Sequence, residues 1–184
     1  VCDGTRAVYL LPSQDHKRVG EGDTGLNTGG MGAYAPVSIA TPALLEEART
    51  RVFEPTLAAL AADGAPFTGI LYGGLMKTGE GLKVVEFNCR FGDPEAQAVL
   101  PLLDSDLLGL MEATLEGQLH RTTIRWRENK TCVTVVMASK GYPGKYPKQR
   151  AIEGLDNFGQ KDPDLVVFQA GTTLKGNQVV TNGG

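Results

Sequence analysis

The feature that most constrains this chain is an apolar run that ends in polar residues at alternate positions. Residues 82–87 are mostly apolar, which predicts a buried β-strand. Glu86 and Asn88 are two residues apart, so on a strand their side chains point to the same face. Arg90 joins them if the strand keeps its period. The sequence therefore predicts one strand face that carries a carboxylate, an amide oxygen and a guanidinium.

These three groups suit a metal-bound phosphate. Carboxylate and amide oxygens are hard ligands for Mg²⁺, which commonly takes one or two protein ligands together with phosphate oxygens. A guanidinium can hold a phosphoryl group with two parallel hydrogen bonds. The strand is therefore a candidate place to hold a metal–nucleotide complex. The simpler alternative is a half-polar strand whose charges face solvent, because short patterns occur by chance.

The residues that follow this strand allow two interpretations. Asp93, Pro94 and Glu95 can begin a helix as the N-cap, the first helical residue and a first-turn acid. Capping alone explains all three residues. We favour a mixed role, in which the start of the helix is also aimed at a substrate.

A second candidate site lies near the start of the chain. His16, Lys17 and Arg18 form a cationic cluster, and residues 20–32 are rich in glycine with almost no apolar residues. This pattern predicts a long loop defined by its backbone. Successive backbone N–H groups around Gly29-Gly30-x-Gly32 can form an anion nest, which makes the loop a candidate phosphate site. A solvated basic turn is the alternative.

The rest of the chain predicts a mixed α+β architecture. Thr41 and Pro42 predict the start of a helix that is interrupted at Pro55 and ends near Ala62. Two strands, 67–77 and 82–88, surround a tight turn. Further strands are expected at 131–138, 166–170 and 178–181. We place a domain boundary so that residues 1–124 form one domain and residues 125–184 begin a small β-rich domain.

Bulk properties exclude some classes of function. The net charge of −3 argues against a general nucleic-acid binder, and no apolar run approaches the ~20 residues that span a membrane. The three cysteines are far apart and lack metal-ligand spacing, so we expect free thiols in a reducing cytoplasm. The chain starts without methionine and stops directly after an apolar run, which favours a segment of a longer protein.

Several blocks together resemble the phosphoribosylamine–glycine ligases (glycinamide ribonucleotide synthetases) of the ATP-grasp superfamily. They lie in the family's order along almost the whole chain, which is more specific than any one motif. The blocks are residues 13–18, 27–34, 86–88, 90–97, 141–144 and 180–184.

The resemblance implies the later part of an ATP-grasp domain followed by the start of a small C-terminal domain. The implied reaction is ATP-dependent ligation of glycine to 5-phosphoribosylamine through a glycyl phosphate, in purine synthesis. Its products are glycinamide ribonucleotide, ADP and phosphate. The segment alone is expected to be inactive, and its parent chain is compatible with fusion to other purine-pathway enzymes.

The resemblance also implies roles for individual residues. Glu86 and Asn88 would hold Mg²⁺ or Mn²⁺, while Arg90 and Asp93 would be catalytic. Leu75 would line the adenine pocket by analogy, with core packing as the alternative. The implied substrate-binding residues are His16, Lys17, Arg18, Asn27, Thr28, Gly29, Gly30, Gly32 and Glu95.

Two other functions share some of these features. Another ATP-grasp carboxylate–amine ligase would share the metal strand, but residues 27–32 and 90–97 fit that class poorly. The second alternative is a nucleotide-binding module without catalysis, which the loss of Glu86, Asn88 or Arg90 would favour. All three residues are present.

Overall fold

The computed structural model of the chain describes residues 1–158 and 162–184, and every structural statement refers to these residues. The strands are β1 Cys2–Asp3, β2 Gln14–Asp15, β3 Arg18–Gly20, β4 Thr24–Asn27, β5 Gly32–Ala35, β6 Thr68–Gly69, β7 Tyr72–Thr78, β8 Gly81–Asn88, β9 Cys132–Val135, β10 Thr172–Lys175 and β11 Gln178–Thr181. The α-helices are α1 Pro42–Ala48, α2 Glu54–Ala62, α3 Glu95–Val99 and α4 Leu107–Leu115. This mixture of helices and strands confirms the predicted α+β class.

The chain divides by its internal contacts into two compact units. The first comprises Val1–Asp15 and Gly32–Thr134, and the second comprises His16–Met31 and Val135–Gly184. Because the second unit takes residues from near the start of the chain, this division does not decide a boundary in sequence. The domain boundary after residue 124 therefore stays a prediction.

The main core of the first unit lies where β5 packs against α3. Ala33 and Ala35 of β5 and Ala98 and Val99 of α3 are buried in one cluster with Leu102. Small side chains on both elements allow the helix to approach the strand closely. This packing fixes α3, whose first residue belongs to the candidate site.

The predicted helical segment is confirmed, including its start and its interruption. The Leu44 N–H donates to Thr41 Oγ1 at 3.3 Å, so Thr41 is the N-cap. A π-helical turn, Arg49–Phe53, separates α1 from α2, which has Pro55 in its first turn. Because proline has no N–H to donate, the hydrogen-bond ladder has to restart there.

The predicted hairpin of β7 and β8 is also confirmed. The two strands are antiparallel and pair Thr78 with Gly81 at the turn. The prediction of a buried strand is wrong, however, because Val84, Val85 and Phe87 are 45%, 61% and 38% exposed. In the described part of the chain β8 pairs with β7 alone, so its apolar residues have little cover.

The second unit contains two hairpins. The prediction that residues 20–32 lack regular structure is wrong, because β3 and β4 pair across a turn with Gly22 and Asp23 at positive φ. The second hairpin pairs β10 with β11, which confirms the strand expected at 178–181. No strand forms at 166–170, and the strand expected at 131–138 shortens to β9, within a three-stranded sheet.

The structure bears on two expectations drawn from the composition of the chain. Cys2, Cys89 and Cys132 are free thiols, as their spacing predicts. Within residues 1–158 and 162–184, every helix is too short or too polar to span a bilayer.

Candidate active site

The candidate active site is built on one face of the β7–β8 hairpin. The register pairs Tyr72 with Asn88 and Gly74 with Glu86. Because side chains alternate along a strand, these four residues share one face, as the spacing of Glu86 and Asn88 predicts. The intervening pair, Gly73 and Phe87, lies on the opposite face.

That opposite face is partly covered by an aromatic residue from the π-helical turn. The ring of Phe53 lies 6.3 Å from that of Phe87, edge to face. A Cβ atom at Gly73 would lie only 2.7 Å from Phe53 Cζ. Glycine at this position therefore allows the ring to rest on the strand.

Glu86 and Asn88 offer their oxygens to a ligand. Glu86 is exposed and Asn88 is half-buried, and neither side chain hydrogen bonds to another described residue. A Cβ atom at Gly74 would lie 3.2 Å from Glu86 Cγ, so glycine leaves room for the carboxylate arm. No group of three or more His, Cys, Asp or Glu residues within the described ranges could hold a metal. One carboxylate and one amide fit a cation that takes its remaining ligands from phosphate or water.

Arg90 does not share this face through strand alternation. The expectation that it would join Glu86 and Asn88 required the strand to continue to residue 90, and it does not. β8 ends at Asn88, and Arg90 lies in the bend that follows. Its guanidinium is exposed, and Nη1 donates to the Phe91 carbonyl at 2.8 Å. Its catalytic role stays a prediction.

Glu95 is held by a residue that the sequence did not single out. Glu95 is 6% exposed, and Tyr72 Oη donates to its Oε1 at 2.6 Å. The Glu95 carboxylate also lies against Gly92, where a Cβ atom would collide with it. Burial raises the pKa of Tyr72, and the negative charges of Glu95, Asp15 and Glu86 raise it further. Tyr72 therefore stays protonated and keeps donating.

Asp93 does not cap the helix, so its interpretation as the N-cap and that of Pro94 as the first helical residue are wrong, whereas Glu95 is a first-turn acid as predicted. The N-cap of α3 is Pro94, and the Ala96 N–H bonds to the Gly92 carbonyl. The Asp93 carboxylate is exposed and accepts a hydrogen bond from Gln97 Nε2 at 2.7 Å. This contact fixes Asp93 beside the helix start, while its catalytic role stays a prediction.

Leu75 and Gly32 lie apart from the residues with which the sequence analysis grouped them. Leu75 is half-buried, and alternation along β7 places it on the Gly73 face, away from Glu86. This placement favours the core-packing alternative over an adenine pocket. Gly32 is buried in β5 of the first unit, whereas the neighbouring residues 16–31 belong to the second.

In the second unit, the cationic cluster adjoins the β3–β4 hairpin. Arg18 pairs with Asn27 in the register, and Arg18 Nη1 donates to the Gly25 carbonyl at 2.6 Å. Thr28 binds the Lys17 carbonyl twice, through its N–H at 2.7 Å and its hydroxyl at 2.9 Å. His16, Lys17 and Arg18 are exposed at this edge.

The open anion nest predicted around Gly29 and Gly30 is not formed. The four successive amides of residues 28–31 each donate to a group of the protein. Their acceptors are Lys17 O, Tyr142 Oη, Thr28 Oγ1 and His16 O, at 2.7, 3.2, 3.0 and 2.8 Å. A phosphate at this loop would therefore depend on side chains, and the assigned binding roles stay predictions.

Two regions of the chain match models of known domain families. Residues 1–96 match the family model described as phosphoribosylglycinamide synthetase, ATP-grasp (A) domain. Residues 132–184 match the C domain of the same synthetase. This order defines an ATP-grasp protein and confirms the predicted sequence of domains. The chain belongs to the phosphoribosylglycinamide synthetase family, as its motifs indicated.

Individual relatives agree with this assignment. The chain is 48% identical over 184 residues to a phosphoribosylamine–glycine ligase of Mesorhizobium japonicum, covering 100% of this chain and 43% of that protein. It is 51% identical over 182 residues to the trifunctional purine biosynthetic protein adenosine-3 of Gallus gallus, covering 99% of this chain and 18% of that protein.

A solved structure shows the same fold. The crystal structure of phosphoribosylamine–glycine ligase from Thermotoga maritima matches with a TM-score of 0.77 at 32% identity, covering 100% of this chain and 44% of that chain. The chain thus spans less than half the length of these relatives.

Proposed function

We propose that the full-length protein joins glycine to 5-phosphoribosylamine with ATP, giving glycinamide ribonucleotide, ADP and phosphate in purine biosynthesis. The relatives named phosphoribosylamine–glycine ligase support this activity, because the chain matches them along its whole length. The observation that carries the proposal is the shared face of Glu86 and Asn88 on the β7–β8 hairpin.

The proposed chemistry has two steps. The glycine carboxylate attacks the γ-phosphoryl group of ATP, which releases ADP and leaves a glycyl phosphate. The amine of phosphoribosylamine then attacks the carbonyl carbon, loses a proton and displaces phosphate. Such a site has to neutralise crowded anions and exclude water from the acyl phosphate.

Each candidate residue has a proposed part in this scheme. Glu86 and Asn88 hold Mg²⁺ or Mn²⁺, which when bound neutralises phosphate charge. Arg90 stabilises the transferring phosphoryl group with its exposed guanidinium. Asp93, just before α3, is the second proposed catalytic residue, and Glu95 is proposed to contribute to substrate binding. Residues 16–18 and 27–30 hold the phosphoribosyl phosphate.

The cellular setting stays a prediction. The chicken relative is named as a trifunctional protein and contains a region like this chain within a much longer polypeptide. A parent chain with further purine-pathway enzymes is one alternative, and a chain with the ligase alone is the other, since the Mesorhizobium japonicum relative is named for that activity only. A cytoplasmic location is part of the same proposal. The mass of the native polypeptide and its cell fraction test both points.

Product analysis with labelled glycine tests the activity itself. The full-length protein is incubated with ATP, Mg²⁺ and phosphoribosylamine, omitting one substrate at a time. We expect labelled glycinamide ribonucleotide and an equal amount of ADP only in the complete mixture. Ligation of another acid would indicate a different ATP-grasp ligase, and nucleotide binding without turnover would indicate a binding module. The 184-residue chain is expected to be inactive in the same assay.

A further inference from the structure

The hydroxyl of Tyr142 meets the glycine-rich segment across a long separation in sequence. It accepts the Gly29 N–H at 3.2 Å, although the two residues are 113 positions apart. The neighbouring amides of Thr28, Gly30 and Met31 bond to groups within residues 16–28. Within the described chain, Gly29 is therefore one of the points at which this segment is tied to residues far along the sequence; the Met31 carbonyl, which accepts from the Val136 N–H at 3.0 Å, is another.

The turn that presents Tyr142 is fixed independently of Gly29. The Tyr142 N–H donates to the Ser139 carbonyl at 3.0 Å, and the Gly144 N–H donates to Gly141 at 2.8 Å. Gly141 has φ of 105° and packs against the backbone of the following turn, where a side chain would collide. The rings of Tyr142 and Tyr146 lie 6.1 Å apart. The backbone position of Tyr142 is thus set by its own turn.

The hydroxyl still has a proton to give. A phenol that accepts one hydrogen bond can donate another, and accepting a bond strengthens it as a donor. Among the residues that the structure describes, the Tyr142 hydroxyl donates to none. Gly29 is exposed, and the exposed cations Lys17 and Arg18 belong to the same segment. A hydroxyl that can donate therefore lies beside an exposed residue of the segment that carries these two cations.

We propose that Tyr142 is a substrate-binding residue of the phosphoribosyl site. Its hydroxyl accepts the Gly29 N–H and donates its own proton to the phosphate monoester of phosphoribosylamine. The inference rests on the proposed ligase activity and adds a binding residue from the C-terminal part of the chain. The phosphates of ATP present the same chemistry, so the test has to separate the two substrates.

The test compares Tyr142→Phe with Tyr146→Phe in the full-length protein. Tyr142→Phe keeps the ring and its packing but removes the hydroxyl. We expect the KM for phosphoribosylamine to rise about 10-fold, which corresponds to one charge-assisted hydrogen bond. The KM for ATP, the KM for glycine, kcat and the thermal midpoint should stay near those of the wild type. Tyr146→Phe removes a neighbouring hydroxyl and should change none of these quantities.

Each other outcome overturns the inference. An unchanged KM for phosphoribosylamine in Tyr142→Phe rejects the binding role, while product formation by the wild type leaves the ligase proposal intact. A rise confined to the KM for ATP assigns the hydroxyl to the wrong substrate. If Tyr142→Phe lowers kcat and the thermal midpoint and also changes the KM values for all three substrates, the role of Tyr142 is structural. Absence of product from the wild type removes both proposals together.

Discussion

Tyr72 donates a hydrogen bond from its hydroxyl to Oε1 of Glu95 at 2.6 Å and so joins strand β7 to the start of helix α3. Glu95 is only 6% exposed, and a carboxylate in such a place is costly unless it is hydrogen bonded. Tyr72 also pairs with Asn88 across the hairpin. One phenol therefore connects the proposed metal strand with the helix that follows it.

Tyr72→Phe is expected to destabilise the protein by about 1.5–3 kcal/mol, the range for hydrogen bonds to charged groups. The substitution leaves the buried Glu95 carboxylate without its phenolic donor. Thermal unfolding of the full-length protein measures the loss. Glu95→Gln is the matched control, because the amide oxygen still accepts from Tyr72 and the buried charge is gone. A larger loss in Glu95→Gln than in Tyr72→Phe would contradict this account.

Gly73→Ala is expected to destabilise the hairpin through overpacking. The added Cβ atom would meet Phe53 Cζ at 2.7 Å, and rearrangements of this kind cost about 1–3 kcal/mol. Gly79→Ala serves as the control in the turn of the same hairpin, because no heavy atom lies within 4 Å of its Cβ position. Its effect should stay within about 0.5 kcal/mol. Equal midpoints of thermal unfolding for the two variants would reject the packing argument.

Local chemistry explains what the sequence predicted well. The cap at Thr41, the interruption near Pro55 and the tight turn after Thr78 each depend on neighbours along the chain. The shared face of Glu86 and Asn88 depends only on strand alternation. Such features need no knowledge of the tertiary structure.

The register of the hairpin could not be predicted in the same way. If the pairing of Thr78 with Gly81 continued regularly, Tyr72 would lie opposite Phe87. A bulge next to Gly74 shifts the register by one residue and brings Tyr72 opposite Asn88 instead. A shift of one residue exchanges the faces of a strand, so the polar cluster around Tyr72 depends on that bulge.

The prediction of an irregular loop at residues 20–32 failed for a different reason. Its sequence lacks the apolar alternation that marks strands, yet backbone pairing between β3 and β4 and the turn at Gly22 make a hairpin. The amide of Gly29 finds its acceptor 113 residues away, in Tyr142. No local pattern reports a contact of that separation.

Glu86→Gln tests the proposed metal ligand. The substitution keeps the shape of the side chain and removes its charge, so turnover of the full-length protein should fall by orders of magnitude. The Mg²⁺ concentration needed for half-maximal activity should rise. The thermal midpoint should barely change, because Glu86 is exposed and hydrogen bonds to no other described residue. Wild-type activity in this variant at limiting Mg²⁺ would exclude Glu86 as a ligand.

Arg18→Ala tests whether the cationic cluster serves phosphoribosylamine rather than ATP. One nitrogen of Arg18 donates to Gly25, which leaves other donors of the exposed guanidinium for a ligand. A charge-assisted bond contributes roughly 1.5–3 kcal/mol, so the KM for phosphoribosylamine should rise about 10- to 150-fold. The KM for ATP should barely move, because its phosphates have the metal and Arg90.

Arg51→Ala is the charge-matched control for Arg18→Ala, with both constants measured at the same salt concentration. The Arg51 side chain is 69% exposed and pairs with Glu47 on the surface, so its removal changes the net charge equally without touching the proposed site. Neither constant should change in this control. If Arg18→Ala instead raised the KM for ATP alone, the cluster would belong to the nucleotide and its assignment to the phosphoribosyl group would be wrong.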